Sequence, residues 1–213
     1  MGEVYKARDT RLERVVAIKL LTGPSEQMAA LRDRIEREAR AVSQLNHPHI
    51  CTLYDIGESV PDTAGAAVSY LVMEFVEGET LADRLTKGPL AIERALPLAA
   101  QIADALDRAH RSGIIHGDLK PGNVMLTKGG IKLLDFGLAR QRRPAPSADW
   151  ADASTRSAHV APDDAVMGTL QYLSPEQLDG RPSDERTDIF ACGAVIYEML
   201  TDRKSTRLNS SHT

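Results

Sequence analysis

"IIHGDLKPGNVML", residues 114–126, sets Asp118, Lys120 and Asn123 at close, fixed offsets, and a further acid, Asp135, follows in "DFG". A lone Asp or Asn in a loop is ordinarily a turn residue. Four polar groups in this spacing point instead to a built site. Downstream, "VMLT" (124–127) and "IKLLDF" (131–136) read as short strands around the "KGG" turn. Upstream, "AIERALPLAAQIADALDRAHRSG" (91–113) puts Ala95, Ala99, Ile102, Leu106 and Ala109 on one helical face and stops at Gly113. Pro97 lies inside that pattern and leaves the start of the helix open.

Farther out, short β-branched runs at Val4–Ala7 and Val15–Leu21 flank the polar "RDTRLER" as a strand hairpin. "SEQMAALRDRIEREARAVSQL" spaces Met28, Leu31, Ile35, Ala39, Val42 and Leu45 as an amphipathic helix, with Ser25 as its N-cap. "HPHICTLYDIGE" and "AAVSYLVMEFVEG" read as two more strands, followed by a turn at "EGETL". The first lobe is therefore mostly sheet with one helix, and the second begins with a long helix. Residues 141–165 are rich in Pro, Ala, Ser and Asp without period and read as a mobile segment, whereas "SDERTDIFACGAVIYEML" (183–200) reads as a capped helix with an apolar body.

The bulk composition narrows the function classes. With 213 residues, 42% of them hydrophobic and 26% charged, the chain can build one large domain or two small lobes. A formal net charge of -4 supplies no basic field for nucleic acid or acidic lipid, so nucleic acid is excluded as the expected ligand. Cys51 and Cys192 lie far apart without a CxxC partner, which favours buried thiols and a cytoplasmic location. No segment reads as a signal peptide or a membrane span. His47, His49 and His110 read as helix-end or surface residues, and no spacing suggests zinc.

In order, "GEVYKA", "VAIKLL", "HGDLKPGNV", "DFG" and "SPE" resemble the eukaryotic-type serine/threonine protein kinases in their bacterial form, over Gly2 to about Leu200. The resemblance implies an α+β bilobal fold: residues 1–76 as an N-lobe of antiparallel sheet plus one helix, without its first strand and part of the glycine-rich loop. Residues 77–201 would form a partial, mainly helical C-lobe. It also implies ATP and Mg²⁺ as cofactors and Ser/Thr-bearing proteins as substrates. By matching residues, Gly2 lets backbone approach the phosphates, Val4 and Ala17 cover the adenine, and Met125 forms its floor. Lys19 holds the α- and β-phosphates, oriented by Glu38 of "REA" rather than by Glu36, which reads as a solvated charge. Met73 is the gatekeeper, and Glu74 and Val76 meet the adenine through backbone C=O and N–H. Asp118 takes or orients the substrate hydroxyl proton, Lys120 sits near the γ-phosphate, and Asn123 and Asp135 hold the metal. Thr169 shapes the pocket after the acceptor, Asp188 fixes the catalytic-loop backbone, and His116, Phe136 and Val42 form an apolar column between the lobes.

Gly117 departs from the family, which commonly has Arg there to pair with a phosphorylated activation-loop residue. Retained catalysis with altered control is the expectation, so phosphorylation at Ser154, Thr155 or Ser157 should matter less here. Ser174 replaces the usual Ala of "APE", and the Arg expected to pair with Glu176 is not in the sequence. The final stretch, 202–213, matches a translated sequencing-adapter oligonucleotide over "DRKSTRLNSSH" and is expected to be foreign to the fold. As written, the fragment is expected to be weak or inactive. Two alternatives stay open at this stage: a nucleotide- or partner-binding scaffold without catalysis, and a small-molecule phosphotransferase. A homodimer and a membrane anchor supplied by a missing downstream region of the parent protein also stay open.

Overall fold

The computed structural model describes residues 3–21, 39–59, 68–136 and 171–201. Strands β1 (Val4–Asp9) and β2 (Arg14–Leu21) form the expected hairpin, with Val4 opposite Lys19 and Lys6 opposite Ala17. With β3 (Leu53–Ser59) and β4 (Val68–Glu74) they make an antiparallel sheet of order β1-β2-β4-β3. Lys19 pairs with Leu71 and Ala17 with Met73 across β2 and β4. Because directly opposed residues share a face, Val4, Ala17, Lys19 and Met73 all project from the same side of the sheet. Of the expected amphipathic helix, residues 39–42 are described and helical; Ala39, Val42 and Leu45 are buried. Ser25, Met28, Leu31 and Ile35 lie outside the described residues.

Where the sequence reads only a turn, the chain forms a two-residue strand, β5 (Glu79–Thr80), and a one-turn helix, α1 (Leu81–Leu85). Thr80 caps that helix, its Oγ1 accepting from the Asp83 N–H at 3.0 Å. β5 joins β6 (Val124–Thr127) and β7 (Gly130–Leu133) in a second antiparallel sheet.

The long helix α2 (Ile92–His110) buries the predicted face at Ala95, Ile102, Leu106 and Ala109, and Ala105 joins them. Fully burying a Leu or Ile contributes about 1.5–3 kcal/mol, so Ile102 and Leu106 are the residues of this face whose burial stabilises the helix most. Pro97 lies within the helix on an exposed face, where water can serve the Glu93 carbonyl that loses its N–H partner. The helix ends as Gly113 turns to φ +72° and the Ile114 N–H bonds back to the Ala109 carbonyl at 3.0 Å. Helix α2 packs on β7 and on α4 (Glu185–Thr201). Asp184 caps α4 through the Arg186 N–H at 2.8 Å. A short helix, α3 (Pro175–Leu178), precedes it. No described helix is long and apolar enough to cross a membrane.

The two parts meet behind the site. Cys51 N–H donates to the Leu133 carbonyl and Leu133 N–H to the His49 carbonyl, both at 2.9 Å. Lys132 Nζ reaches the Glu74 carboxylate at 2.7 Å and the Ile50 carbonyl at 3.3 Å.

Candidate active site

Apolar anchors place the loop between α2 and β6: Leu119 and Val124 are buried, and Pro121–Asn123 forms a 3₁₀ turn that delivers the chain into β6. Within it, Lys120 Nζ donates to Asp118 Oδ2 at 2.8 Å. Asn123 Nδ2 donates to the Asp118 carbonyl at 2.8 Å and to Asp118 Oδ2 at 3.2 Å. The Asp118 carboxylate is thus aimed by a cation and an amide, and charge-assisted bonds of this kind are roughly twice as strong as neutral ones. Three of the residues singled out from sequence converge here.

Asp188 supports them from below. It is fully buried, and its carboxylate takes three donors: His116 N–H at 2.8 Å, Gly117 N–H at 2.7 Å and His110 Nε2 at 2.8 Å. A buried carboxylate is tolerable only with such partners. His110, at the last position of α2, is therefore part of the support, which its helix-end position in the sequence does not reveal. Gly117 takes φ +71°, a left-handed backbone that glycine adopts without cost.

His116 uses both ring nitrogens. Nε2 lies 2.9 Å from the Leu134 carbonyl, and Nδ1 lies 3.3 Å from the Asp118 N–H, which donates to it. This pairing is that of a neutral ring protonated at Nε2. Burial pushes its pKa down, against the opposing pull of Asp188, Asp118 and Asp135. Its ring packs at a tilt against Phe136, with centroids 4.6 Å and planes 45° apart, and Val42 lies in the same buried cluster as Phe136.

Lys19, from β2, forms an ion pair with Asp135 at 2.7 Å. Asp135 has φ +57°, uncommon for a residue with a side chain. The Leu134 N–H donates to the Asn123 carbonyl at 2.9 Å, which ties the residue before Asp135 to the end of the catalytic loop. As Asn123 Nδ2 is spent on Asp118, its amide oxygen is directed away from that residue. An Asp carboxylate and an Asn amide oxygen are hard donors of the type that suits a Mg²⁺ ion completed by phosphate and water. Among the described residues no group of three or more His, Cys, Asp or Glu side chains could hold a metal ion by itself.

Above this point, Val4 is exposed and Ala17 and Met73 are half-buried; Met125, half-buried, lies on β6 opposite Thr80 and Lys132. Glu74 ends β4, its N–H donating to the Thr52 carbonyl at 2.9 Å and its carboxylate held by Lys132 and by the Thr52 N–H at 3.2 Å. Val76 lies in the link to β5. Gly2, Glu38 and Thr169 lie outside the described residues, as do Ser154, Thr155 and Ser157, the 141–165 segment and the 202–213 tail. Glu176 accepts from Thr187 Oγ1 at 2.7 Å. Gln177, whose amide reaches the Gly117 carbonyl at 3.0 Å, is a site residue that the sequence reading missed.

Comparison with known proteins places this geometry. The family model described as "Protein kinase domain" matches residues 1–213. A probable serine/threonine-protein kinase of Streptomyces coelicolor is 43% identical over 205 residues, covering 95% of this chain and 28% of that protein. The serine/threonine-protein kinase PknB of Mycolicibacterium smegmatis is 43% identical over 203 residues, and PknB of Mycobacterium tuberculosis 42% over 203 residues, each covering 94% of this chain and 30% of the relative. The chain thus spans about 30% of the length of the curated relatives it matches. With its antiparallel first sheet, its helices α2 and α4 and a loop organised around Asp118, the chain belongs to the protein kinase domain family.

Proposed function

We propose that this domain transfers the γ-phosphate of ATP to Ser or Thr hydroxyls of protein substrates, with Mg²⁺ as the metal. The observation that carries the reading is the Asp118 carboxylate, held by Lys120 at 2.8 Å and Asn123 at 3.2 Å. In this reading a substrate hydroxyl oxygen bonds to the γ-phosphorus, the bond from that phosphorus to the β–γ bridging oxygen breaks, and ADP leaves. Asp118 orients the hydroxyl and receives its proton, while Lys120 lies against the transferred group's negative charge. Lys19 would bind the α- and β-phosphates, and its ion pair with Asp135 at 2.7 Å supports a reading in which phosphate and metal are held close together. Asn123 and Asp135 would hold Mg²⁺, which when bound neutralises phosphate charge. Val4 and Ala17 would cover the adenine from the sheet and Met125 from β6, with Met73 behind it. The Glu74 carbonyl and Val76 N–H would meet its edge. Gly2 would lie over the phosphates and Glu38 would orient Lys19.

Sequence similarity to bacterial serine/threonine kinases supports a protein substrate over a small molecule. Asp118→Asn in protein made from the complete gene should lower phosphate transfer to a Ser/Thr protein substrate by at least about 100-fold, with ATP affinity within about twofold of the parent. Transfer at the parental rate in that variant would exclude the assigned role.

A further inference from the structure

Gln177 uses its side-chain amide at both ends. Oε1 accepts from the Ser174 N–H at 3.1 Å, and Nε2 donates to the Gly117 carbonyl at 3.0 Å and to Ser183 Oγ at 3.3 Å. These partners fix the amide's orientation, since the swapped rotamer would set Nε2 against an N–H and Oε1 against a carbonyl oxygen. The tie lands at a sensitive point. Gly117 directly precedes Asp118, and glycine has the widest backbone freedom of any residue. Rotation about its ψ would swing Asp118 and its carboxylate. Both polar backbone atoms of Gly117 are instead held from outside the loop: the N–H by Asp188 Oδ1 of α4 at 2.7 Å, the carbonyl by Gln177 of α3.

The segment that carries Gln177 is itself anchored. The Tyr172 hydroxyl donates to the Glu198 carboxylate on α4, and Thr187 Oγ1 donates to Glu176 at 2.7 Å. Residues 172–177 are therefore joined to α4 twice and to the catalytic loop once, through bonds that involve no phosphate. We propose that Gln177 is a positioning residue that couples the 171–178 segment to the catalytic loop at Gly117, fixing the peptide that aims Asp118. A neutral amide makes this coupling constant, in contrast to an Arg at position 117, whose partner would be a phosphoryl group present only after modification. The inference rests on the reading of Asp118 as the group that receives the substrate proton.

Gln177→Glu separates the bonds: it keeps an acceptor for the Ser174 N–H and nearly the same shape, but presents an oxygen to the Gly117 carbonyl. In protein made from the complete gene, the variant should lower kcat for peptide phosphorylation by about tenfold while KM for ATP stays within about twofold. Backbone amide hydrogen exchange across residues 116–119 should quicken by about fivefold or more, with exchange in α2 unchanged. Parental kcat together with parental exchange at 116–119 would overturn the proposal. Faster exchange throughout α2 and α4 would also overturn it, because Gln177 would then be a general stabiliser. If the parent protein itself transferred no phosphate, the proposed function would fail separately, and the exchange at 116–119 would still decide whether Gln177 holds the loop.

Discussion

In the loop from Ile114 to Asn123, successive backbone groups are gripped by side chains distant in the sequence: Asp188 holds two amides and Gln177 a carbonyl. The β1–β2 hairpin is built on other terms. Its strands bond to each other, while Val4, Tyr5, Leu12 and Val15 are 58%, 50%, 65% and 47% exposed. Both regions flank the proposed nucleotide site, yet one is locked by buried polar groups, while the outer strand of the other, β1, lies at a sheet edge with little apolar cover. Positions that must hold a carboxylate to within fractions of an ångström are fixed by long-range bonds. A cover that must admit a nucleotide can be held mainly by its own ladder, at the low end of local stability.

The sharpest way to break this contrast is Asp188→Ala. It would leave two backbone N–H groups and His110 without their acceptor in a fully buried place. Orphaning a hydrogen-bonded buried network of this kind costs about 3–5 kcal/mol. Denaturant unfolding should register a loss of that size, and Asp188→Asn, which retains one oxygen acceptor, a smaller one. A loss under about 1 kcal/mol for the alanine variant would mean that the loop is held by something else.

Much of this was legible in the sequence because it is carried by short-range patterns. The spacing of Asp118, Lys120 and Asn123 predicts their convergence, and the apolar period from Ala95 to Ala109 predicts the buried face of α2. What escaped is what depends on distance. Gln177 and Gly117 are 60 residues apart, and His110 and Asp188 are 78 apart, so no local pattern announces either bond. The missed α1 is too short to show a helical period; its one signal was Thr80 three residues before Asp83, a capping arrangement hidden in a stretch that reads as a turn. The Lys19–Asp135 pair joins residues read separately, as a phosphate ligand and a metal ligand, whose mutual contact neither role requires.

A smaller effect should follow from His116. Burial lowers its pKa in the fold, while the unfolded chain titrates near the ordinary value of about 6.5. Below about pH 6.5 the unfolded state binds a proton that the fold refuses, so the unfolding free energy falls as pH is lowered and is flat above that point as far as this group decides. The limiting slope is about 1.4 kcal/mol per pH unit. Measured between pH 7.5 and 5.5, the parent should lose stability, and His116→Phe, though weaker overall, should lose most of that slope. An unchanged slope in the variant would show that the ring is not what titrates, and that the locked loop is insensitive to this pH range.

At the other end of the comparison, Leu12→Ser should do almost nothing. Leu12 sits in the β1–β2 turn at 65% exposure, beyond the paired residues Asp9 and Arg14. Surface substitutions away from caps and buried groups change stability by less than about 0.5 kcal/mol. The turn is organised instead by Asp9, whose Oδ1 accepts from the Arg11 and Leu12 N–H groups at 3.0 and 3.1 Å and whose Oδ2 takes Arg14 at 3.4 Å. None of these uses the Leu12 side chain. Denaturant unfolding of Leu12→Ser within that margin would support a hairpin tip held by its ladder and by Asp9 rather than by the Leu12 side chain. A loss above about 1 kcal/mol would mean that Leu12 is covered, through packing against residues outside those described or against a second molecule. The contrast between a locked loop and a lightly covered sheet edge would then have to be redrawn with the hairpin tip as an anchored contact.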